Sequence, residues 1–197
     1  MSKADNTKQF IIEKIAPLFN KKGYAGTSLS DITESTGLTK GSIYGNFENK
    51  DEVATAVYEY NVSILDKKMN AYCSGKHTAY EKLTGLTLFY RENWESVFKT
   101  GGCPLLNTAV EADDSLFFLK GKVQKSFKAW QQKVVTIIEA GKKSGEFRQG
   151  VSSTEYAAIF IVLIEGGIVL SKIMNNKKHL FLALDRVIQV IDEELVN

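Results

Sequence analysis

Apolar side chains recur every three or four residues along most of the chain, which is the spacing of one face of an α-helix. Strict alternation, which favours a half-buried strand, is not the prevailing pattern. The spacing therefore predicts an all-α fold. The predicted helices span about Thr7–Lys22, Ser28–Thr36, Thr39–Phe47, Lys50 onward, Thr78–Lys99, Pro104–Ala112, Ser115–Lys143, Ser153–Asn175 and Lys177–Leu195.

The first predicted helix has one apolar face and a glycine at its end. Gly23 can end the helix in a left-handed conformation, which glycine adopts without steric cost. Pro17 lies inside the pattern and predicts a kink or local irregularity, because proline lacks the N–H that a helix interior uses. The predicted inward face consists of Phe10, Ile11, Ile15, Leu18 and Phe19.

Two short capped helices follow. Ser28 and the aspartate three residues later have the form of a capping box, Gly37 breaks this helix, and Thr39 can cap the next one. Ile43 and Phe47, one turn apart, mark the buried side of that second helix. The arrangement is typical of a helix-turn-helix, whose second helix reads the DNA major groove. On geometry alone, a purely structural helical hairpin fits equally well.

The residues of this segment resemble the N-terminal domain of TetR-type (AcrR-type) transcriptional regulators over about residues 7–55. The resemblance implies an all-α homodimer that binds a palindromic operator, usually as a repressor, and is released by a small molecule. Two positions depart from the family pattern: Asn46 stands where histidine is frequent, and Pro17 replaces a more helix-friendly residue. The matching residues are Gly23-Tyr24, Thr27-Ser28, Asp31-Ile32, the run Thr36 to Tyr44, Phe47 and Lys50-Asp51-Glu52.

From this resemblance we predict a DNA-binding domain at residues 1–52 and an effector-binding and dimerisation domain at residues 53–197.

On a helical wheel with Ile43 and Phe47 inward, Gly41 and Gly45 lie directly opposite. Glycine costs a helix roughly 1 kcal/mol relative to alanine, so two on one face indicate close approach of the backbone to another surface. The flanking residues of that outward face are Ser42, Tyr44 and Asn46.

Base and phosphate contacts fall to few side chains, since the first arginine is Arg91. Lys40 is the candidate for reading guanine, and Asn46 could address adenine or a phosphate. The resemblance assigns phosphate anchoring to this region, and ordinary caps, a packed tyrosine or a solvated lysine are the alternatives. Residues 1–50 hold seven lysines and five acidic residues, which predicts moderate salt sensitivity. The predicted phosphate anchors are Thr27, Ser28, Thr39, Tyr44 and Lys50.

The last two predicted helices carry more apolar surface than one chain can bury. The segment from Tyr156 to Ile173 is apolar almost all round and must be covered on both sides. A four-helix bundle with a second copy solves this, with Gly166 and Gly167 allowing close approach; a monomer with both helices in its core is the alternative. Because the longest apolar run stops at Glu165 and the N-terminus lacks an apolar leader, we expect a cytoplasmic protein without a membrane span.

Aromatic residues in the C-terminal half are numerous enough to line an effector pocket, although aromatics at helical spacing are more often core. Cys103 lies in a stretch, Gly101–Glu111, that resembles one branch of the family in which a cysteine senses electrophiles or oxidants. An inert buried cysteine is the alternative. The pattern does not identify the effector. The candidate pocket residues are Phe89, Trp94, Cys103, Phe127, Trp130 and Phe160.

Composition excludes several other classes of protein. The chain has 197 residues, 44% of them hydrophobic and 24% charged, with a net charge of +2, as in ordinary globular proteins. The two cysteines give no disulfide framework, and His77 and His179, expected on the surface, complete no zinc site, so no metal or cofactor is expected. No nucleophile, base and orienting group stand at catalytic spacing, which argues against an enzyme. A small-molecule sensor that has lost DNA binding and a transcriptional activator remain as alternatives.

Overall fold

The computed structural model describes residues 3–197, with side chains from residue 5 onward, and it confirms the all-α fold. Within this range the chain forms nine α-helices and a closing π-helical turn at Ile191–Leu195; the only β-type pairing recorded there is an isolated bridge between Phe147 and Val196. The helices are α1 (Lys3–Lys22), α2 (Leu29–Thr36), α3 (Lys40–Tyr44), α4 (Lys50–Cys73), α5 (Ala79–Lys99), α6 (Pro104–Asp114), α7 (Phe117–Ser144), α8 (Ser153–Ile173) and α9 (Lys178–Val190).

The chain divides into two compact units. The first unit contains the residues up to Leu65 together with Cys103–Val123, and the second contains Asp66–Gly102 and Gln124–Asn197. The first unit therefore joins the three N-terminal helices to α6 and to parts of α4 and α7. The division at residues 52 and 53 stays a prediction about function, distinct from this division by packing.

The core of the first unit is formed by the apolar faces of α1 to α4. Helix α1 continues through Pro17 to Lys22, so the structure has a single helix where the sequence predicted an irregularity. Phe10 was expected to face inward, yet it is 40% exposed and lies under the ammonium of Lys14. Ile12 is buried instead, because the buried face of α1 is rotated by a fraction of a turn from the predicted face. The core residues are Ile11, Ile12, Ile15, Ala16, Phe19, Ile32, Ile43, Phe47, Val53, Ala54 and Val57.

The caps confirm the predicted starts of α2 and α3 and the break at Gly37, whereas α1 begins at Lys3, before the predicted Thr7, and α3 ends at Tyr44, before the predicted Phe47. The Ser28 hydroxyl accepts from the Asp31 N–H at 3.1 Å while the Asp31 carboxylate accepts from the Ser28 N–H at 2.8 Å, which is the complete capping box. Gly37 ends α2 with φ +70°, and Gly23 follows α1 with φ +74°, both in the left-handed region. These caps set the tight connection that orients α3 against α2.

The second unit is built around the packing of α8 on α9. Leu180 and Leu184 of α9 are fully buried, as their spacing predicted. A Cβ on Gly167 would lie 2.9 Å from the Cβ of Ala183, so the glycine permits the close approach of the two helices. Helix α8 is not covered on both sides within this chain: one of its apolar faces remains exposed, in line with the expectation that the last two helices carry more apolar surface than one chain can bury.

Helix α8 is long and apolar enough to cross a membrane when judged by length and composition alone. The core helices of soluble proteins pass the same test. Its apolar window is 39% buried: one face, which includes Phe160, Ile164 and Ile168, is buried, and α8 packs against α9. We therefore interpret α8 as a helix with one face in the core and a second apolar face left exposed.

Candidate nucleic-acid interface

Helix α3 presents a nearly bare surface. Ile43 is buried on its inner side and Gly41 is exposed on the opposite side, as the helical wheel predicted. The helix ends at Tyr44, so the exposed Gly45 caps its C-terminus and the buried Phe47 lies in the turn that follows. The nearest described atom to a Cβ placed on Gly41 would be the Thr39 hydroxyl oxygen at 3.9 Å. Space is thus available outside α3 for another molecule to approach its backbone.

Polar side chains at both ends of α3 are engaged with the helix itself. The hydroxyl of Thr39 accepts from the N–H of Ser42 at 3.2 Å and caps the helix. The side-chain amide of Asn46 donates to the carbonyl of Ser42 at 2.8 Å. Asn46 therefore satisfies one of the last carbonyls of the short helix, and this bond must open if its amide nitrogen is to donate to a base.

Lys40 and Tyr44 flank the glycine face. Lys40 is exposed, and among the described residues it forms no ion pair, so its ammonium is available to an anionic partner. Tyr44 is half-buried. Their contact with DNA stays a prediction.

The start of α2 carries a more complex arrangement. Ser28 is exposed, and its hydroxyl and N–H both contact Asp31, which also accepts from the Lys22 ammonium at 2.6 Å. The Lys22 hydrogen bond, followed by those from Ser28, holds the pKa of the Asp31 carboxyl far below its usual range. The start of α2 therefore carries the negative charge of the Asp31 carboxylate, which the positive charge of Lys22 partly offsets.

Thr27 does not belong to the exposed surface. It is 0% exposed, and its hydroxyl donates to the carbonyl of Gly23 at 2.7 Å, fixing the loop between α1 and α2. Its side chain cannot reach a phosphate without breaking that bond and leaving the core. We therefore remove Thr27 from the set of predicted contacts and assign it a structural role in the loop.

Lys50, at the first residue of α4, is held in place by the loop before α2. Its ammonium donates to the carbonyl of Tyr24 at 2.7 Å and lies 4.1 Å from the centroid of the Tyr24 ring. The position of this charge is therefore defined in the free protein. A preoriented ammonium loses less conformational entropy when it meets a phosphate than a mobile one does.

Tyr24 was part of the sequence match but was not predicted to be a site residue. Its hydroxyl donates to the carboxylate of Asp51, and its ring meets Phe118 edge-on with centroids 5.8 Å apart. Burial, the bond to Asp51 and the nearby Tyr44 raise the pKa of Tyr24 to about 12, so the hydroxyl remains a proton donor. Tyr24 thus connects the loop to the start of α4.

Glu111 of α6 is a second residue that sequence reasoning missed. Its carboxylate accepts the backbone N–H groups of Tyr24 at 2.9 Å and Ala25 at 3.2 Å. One turn earlier on α6, Asn107 donates to the carbonyl of Asn20 at 3.0 Å. The four-residue spacing of these two polar residues was the available signal, because it places both on one face of α6.

The predicted pocket residues are only partly brought together. In the second unit, Trp130 and Phe160 line an apolar void of about 10 Å³ together with Leu83, Leu86 and Ile164. Phe89 is buried, whereas Trp94 and Phe127 are half-buried, and none of the three is among the residues lining this void. A void of this size has room for about one water molecule and not for an effector.

Cys103 belongs to the first unit and is 3% exposed. It stands immediately before α6, whose first residue is Pro104, so it occupies the position before a helix that the sequence suggested. The N-terminal end of a helix favours a thiolate, whereas burial disfavours one. Its role as a sensor stays a prediction.

An exposed apolar face runs along α8 and α9. Val162 and Ile173 of α8 are 71% and 76% exposed, although they are large hydrophobic residues. Gly166 is also exposed, and nothing described lies within 4 Å of the position of its missing Cβ. The other members of this face are Ile159, Val169, Leu170, Met174 and Leu182. A surface of this kind marks an interaction site.

No group of three or more metal-ligating side chains occurs in the range that the structure describes. His77 is exposed, as expected. His179, also expected on the surface, is half-buried, and its Nδ1 has no hydrogen-bond partner among the described residues. His179 lies in the first turn of α9, and its backbone carbonyl faces Gly167 of α8.

Known proteins match both parts of the chain. The family described as "Bacterial regulatory proteins, tetR family" matches residues 11–57, which include α2 and α3. The family described as "Tetracyclin repressor-like, C-terminal domain" matches residues 79–187, more than half of the chain. The first match covers the helix-turn-helix whose geometry is given above.

Individual relatives agree with these families. A TetR-family transcriptional regulator from Cytophaga hutchinsonii is 42% identical, with a TM-score of 0.95 over 100% of this chain and 98% of that one. A TetR transcriptional regulator from Chloroflexus aurantiacus is 31% identical, with a TM-score of 0.94 over 100% and 99% of the two chains. The HTH-type transcriptional repressor DhaR of a Mycobacterium species is 24% identical over 189 residues, which are 96% of this chain and 92% of DhaR. TetR proteins are regulators and not enzymes, and the chain belongs to the TetR family of DNA-binding helix-turn-helix transcriptional regulators.

Proposed function

We propose that the protein is a cytoplasmic, ligand-responsive repressor that binds a palindromic operator as a homodimer and leaves it when a small molecule binds. The observation that carries the DNA part is the exposed glycine face of α3, and the ammonium of Lys50, held by the Tyr24 carbonyl, supports it. The similarity to the repressor DhaR, along nearly its whole length, supports repression rather than activation. The proposed contact residues are Ser28, Thr39, Lys40, Gly41, Ser42, Tyr44, Gly45, Asn46 and Lys50.

In this proposal the backbone of α3 approaches the base edges through its glycines. Lys40 and Asn46 read bases, while Lys50, Tyr44, Ser28 and Thr39 bind phosphates and set the register of the helix in the groove. Few side chains then reach bases directly. We therefore expect part of the sequence preference to come from the shape of the groove.

The exposed face of α8 and α9 supports dimerisation through these helices. Covering Val162, Ile173 and Leu182 with the same face of a second copy removes apolar surface from water and forms a four-helix bundle. A two-fold dimer presents two copies of α3, as a palindromic operator requires.

The proposed effector site lies in the second unit, near Trp130 and Phe160. The void there is about 10 Å³, whereas pockets for drug-sized ligands have roughly 300–1,000 Å³. An effector must therefore separate the helices that line it, and this expansion supplies the difference between the free and bound states that a release mechanism requires.

Binding to the DNA upstream of the protein's own coding region tests this function. The affinity is measured against salt concentration and against a scrambled duplex of equal length. Selective binding by a dimer supports the proposal, while equal weak binding to both duplexes indicates a sensor without operator recognition. A transcription assay with the same DNA separates repression from activation.

A further inference from the structure

The carboxylate of Glu111 reaches from α6 to the backbone of the loop between α1 and α2. It accepts the N–H of Tyr24 at 2.9 Å through one oxygen and the N–H of Ala25 at 3.2 Å through the other. Hydrogen bonds from backbone N–H groups to an ionised carboxylate are stronger than those between neutral groups. Glu111 therefore fixes the orientation of two successive peptide units of the loop.

One of these peptide units also holds Lys50. The amide that joins Tyr24 to Ala25 donates its N–H to Glu111, while its carbonyl accepts from the Lys50 ammonium at 2.7 Å. No cis peptide bond occurs in the described chain, so the N–H and the carbonyl of this amide point in opposite directions. Glu111 and Lys50 thus bind opposite sides of one amide, and each polarises it in the sense that strengthens the other bond.

The surrounding residues are shaped to admit this carboxylate. A Cβ on Gly23 would lie 2.6 Å from Oε1 of Glu111, so a larger residue there would displace the carboxylate. Asn107, on the same face of α6, donates to both the carbonyl and the side-chain oxygen of Asn20 at the end of α1. The helix is therefore attached to this region at two successive turns.

The negative charge of Glu111 allows a positioning role to be distinguished from a direct effect of charge on DNA binding. A carboxylate close to a phosphate-binding surface weakens DNA binding through repulsion, unless it contributes in another way. Removing it would by charge alone strengthen binding. If Glu111 orients Lys50, its removal weakens DNA binding instead, so the direction of the change in affinity separates the two effects.

We propose that Glu111 is a positioning residue of the DNA interface, which holds the Tyr24–Ala25 peptide so that its carbonyl orients the Lys50 ammonium toward a phosphate. This inference rests on the proposed function, in which Lys50 binds the DNA backbone. Glu111 does not touch DNA; it acts through the loop.

The test compares Glu111→Gln with Asp114→Asn, a matched control that removes one negative charge from an exposed residue of the same helix. Affinity for the upstream duplex is measured at several salt concentrations for both variants, for Lys50→Met and for the double variant Glu111→Gln/Lys50→Met. Thermal unfolding confirms that each variant is folded. In the absence of DNA, mass spectrometry follows the acylation rate of Lys50 by an N-hydroxysuccinimide acetate.

We expect Glu111→Gln to weaken binding about tenfold and to reduce the salt slope by about 1, while Asp114→Asn binds as well as the wild type or better. The double variant should bind DNA as tightly as Lys50→Met alone, since both changes remove the same contact of Lys50 with a phosphate. Lys50 should be acylated several-fold faster in Glu111→Gln than in Asp114→Asn.

Additive losses in the double variant, or binding by Glu111→Gln as tight as by Asp114→Asn, would overturn the inference. If the wild type fails to distinguish the duplexes, the proposed function fails, and the acylation rates still decide whether Glu111 positions Lys50. Equal acylation of Lys50 in the two variants would overturn the positioning role in either case.

Discussion

The ammonium of Lys50 lies over the ring of Tyr24, 4.1 Å from its centroid, while it donates to the carbonyl of the same residue. One residue of the loop before α2 thus holds this lysine by both its ring and its backbone. The ring contributes an attraction of about 0.5–1 kcal/mol at a partly exposed site. This arrangement leads to a graded prediction for substitutions at Tyr24.

Tyr24→Leu should weaken operator binding roughly two- to fivefold, because it removes the ring beneath Lys50 and leaves the backbone carbonyl in place. Tyr24→Phe keeps the ring and loses only the hydroxyl bond to Asp51, so its loss should be smaller. Fluorescence anisotropy with a labelled duplex measures both variants. A larger loss for Tyr24→Phe than for Tyr24→Leu would contradict the role of the ring.

Substitution of Lys50 or of Tyr44, two of the predicted phosphate anchors, should weaken binding to all duplexes by a similar factor. Lys50→Ala removes a charge and should flatten the salt dependence by about 1, whereas Tyr44→Ala removes only a neutral hydroxyl and ring and should leave the slope unchanged. Titrations at four salt concentrations distinguish the two. Wild-type affinity in both variants would show that the anchors are misassigned.

Gly41→Leu should separate stability from DNA binding. The missing Cβ of Gly41 has no described neighbour closer than 3.9 Å, so the fold accommodates the larger side chain, and leucine is favoured in a helix by up to about 1 kcal/mol over glycine. The unfolding temperature should therefore rise or stay constant while operator affinity falls at least tenfold, since the side chain fills the approach to the groove. Undiminished affinity would reject close approach of this backbone to DNA.

Val162→Asp should convert the dimer to a monomer, because it places a charge on the exposed apolar face of α8. Val110→Asp is the matched control, as Val110 of α6 is 63% exposed and lies outside α8 and α9. Analytical ultracentrifugation gives the mass of each variant. Dimers of equal stability in both would place the interface elsewhere, whereas a monomeric control would extend it to α6.

The capping box of α2 should make stability fall in acid. The pKa of Asp31 is lowered by Lys22 and Ser28, so the folded protein binds fewer protons at this carboxyl than the unfolded chain does. Its contribution is complete well above the ordinary carboxyl value of 3.8 and is lost progressively as the pH falls below that value. The difference in unfolding temperature between the wild type and Asp31→Asn should be constant from about pH 7 to pH 5 and shrink toward pH 2. A difference that does not change with pH would contradict this account.

Cys103 should react slowly with iodoacetamide in the folded protein, because only 3% of the residue is exposed. We expect labelling at least tenfold slower than in the chain unfolded in guanidinium, as measured by mass spectrometry of the Cys103 peptide. Fast labelling of the folded protein, accompanied by loss of operator affinity, would instead support electrophile sensing.

The helices and their ends follow from local interactions and could be predicted from the sequence. Ser28, Gly37 and Thr39 set the boundaries of α2 and α3 through bonds to residues at most four positions away, and the structure confirms these caps. The glycine face of α3 follows from the same helical periodicity. The resemblance to the TetR family rests on this short segment as well, because its turn and caps constrain many neighbouring positions together.

Contacts between residues far apart in the chain were decided only by the tertiary structure. The spacing of Asn107 and Glu111 places both on one face of α6, but the role of Glu111 appears only when the helix lies against a loop 86 residues earlier. Thr27 was predicted to be a surface hydroxyl, yet folding of the loop turned it into the core. The sequence alone thus determined helices, caps and family through interactions within a turn or two, whereas side-chain burial and the attachment of α6 to the loop between α1 and α2 depend on packing between distant segments.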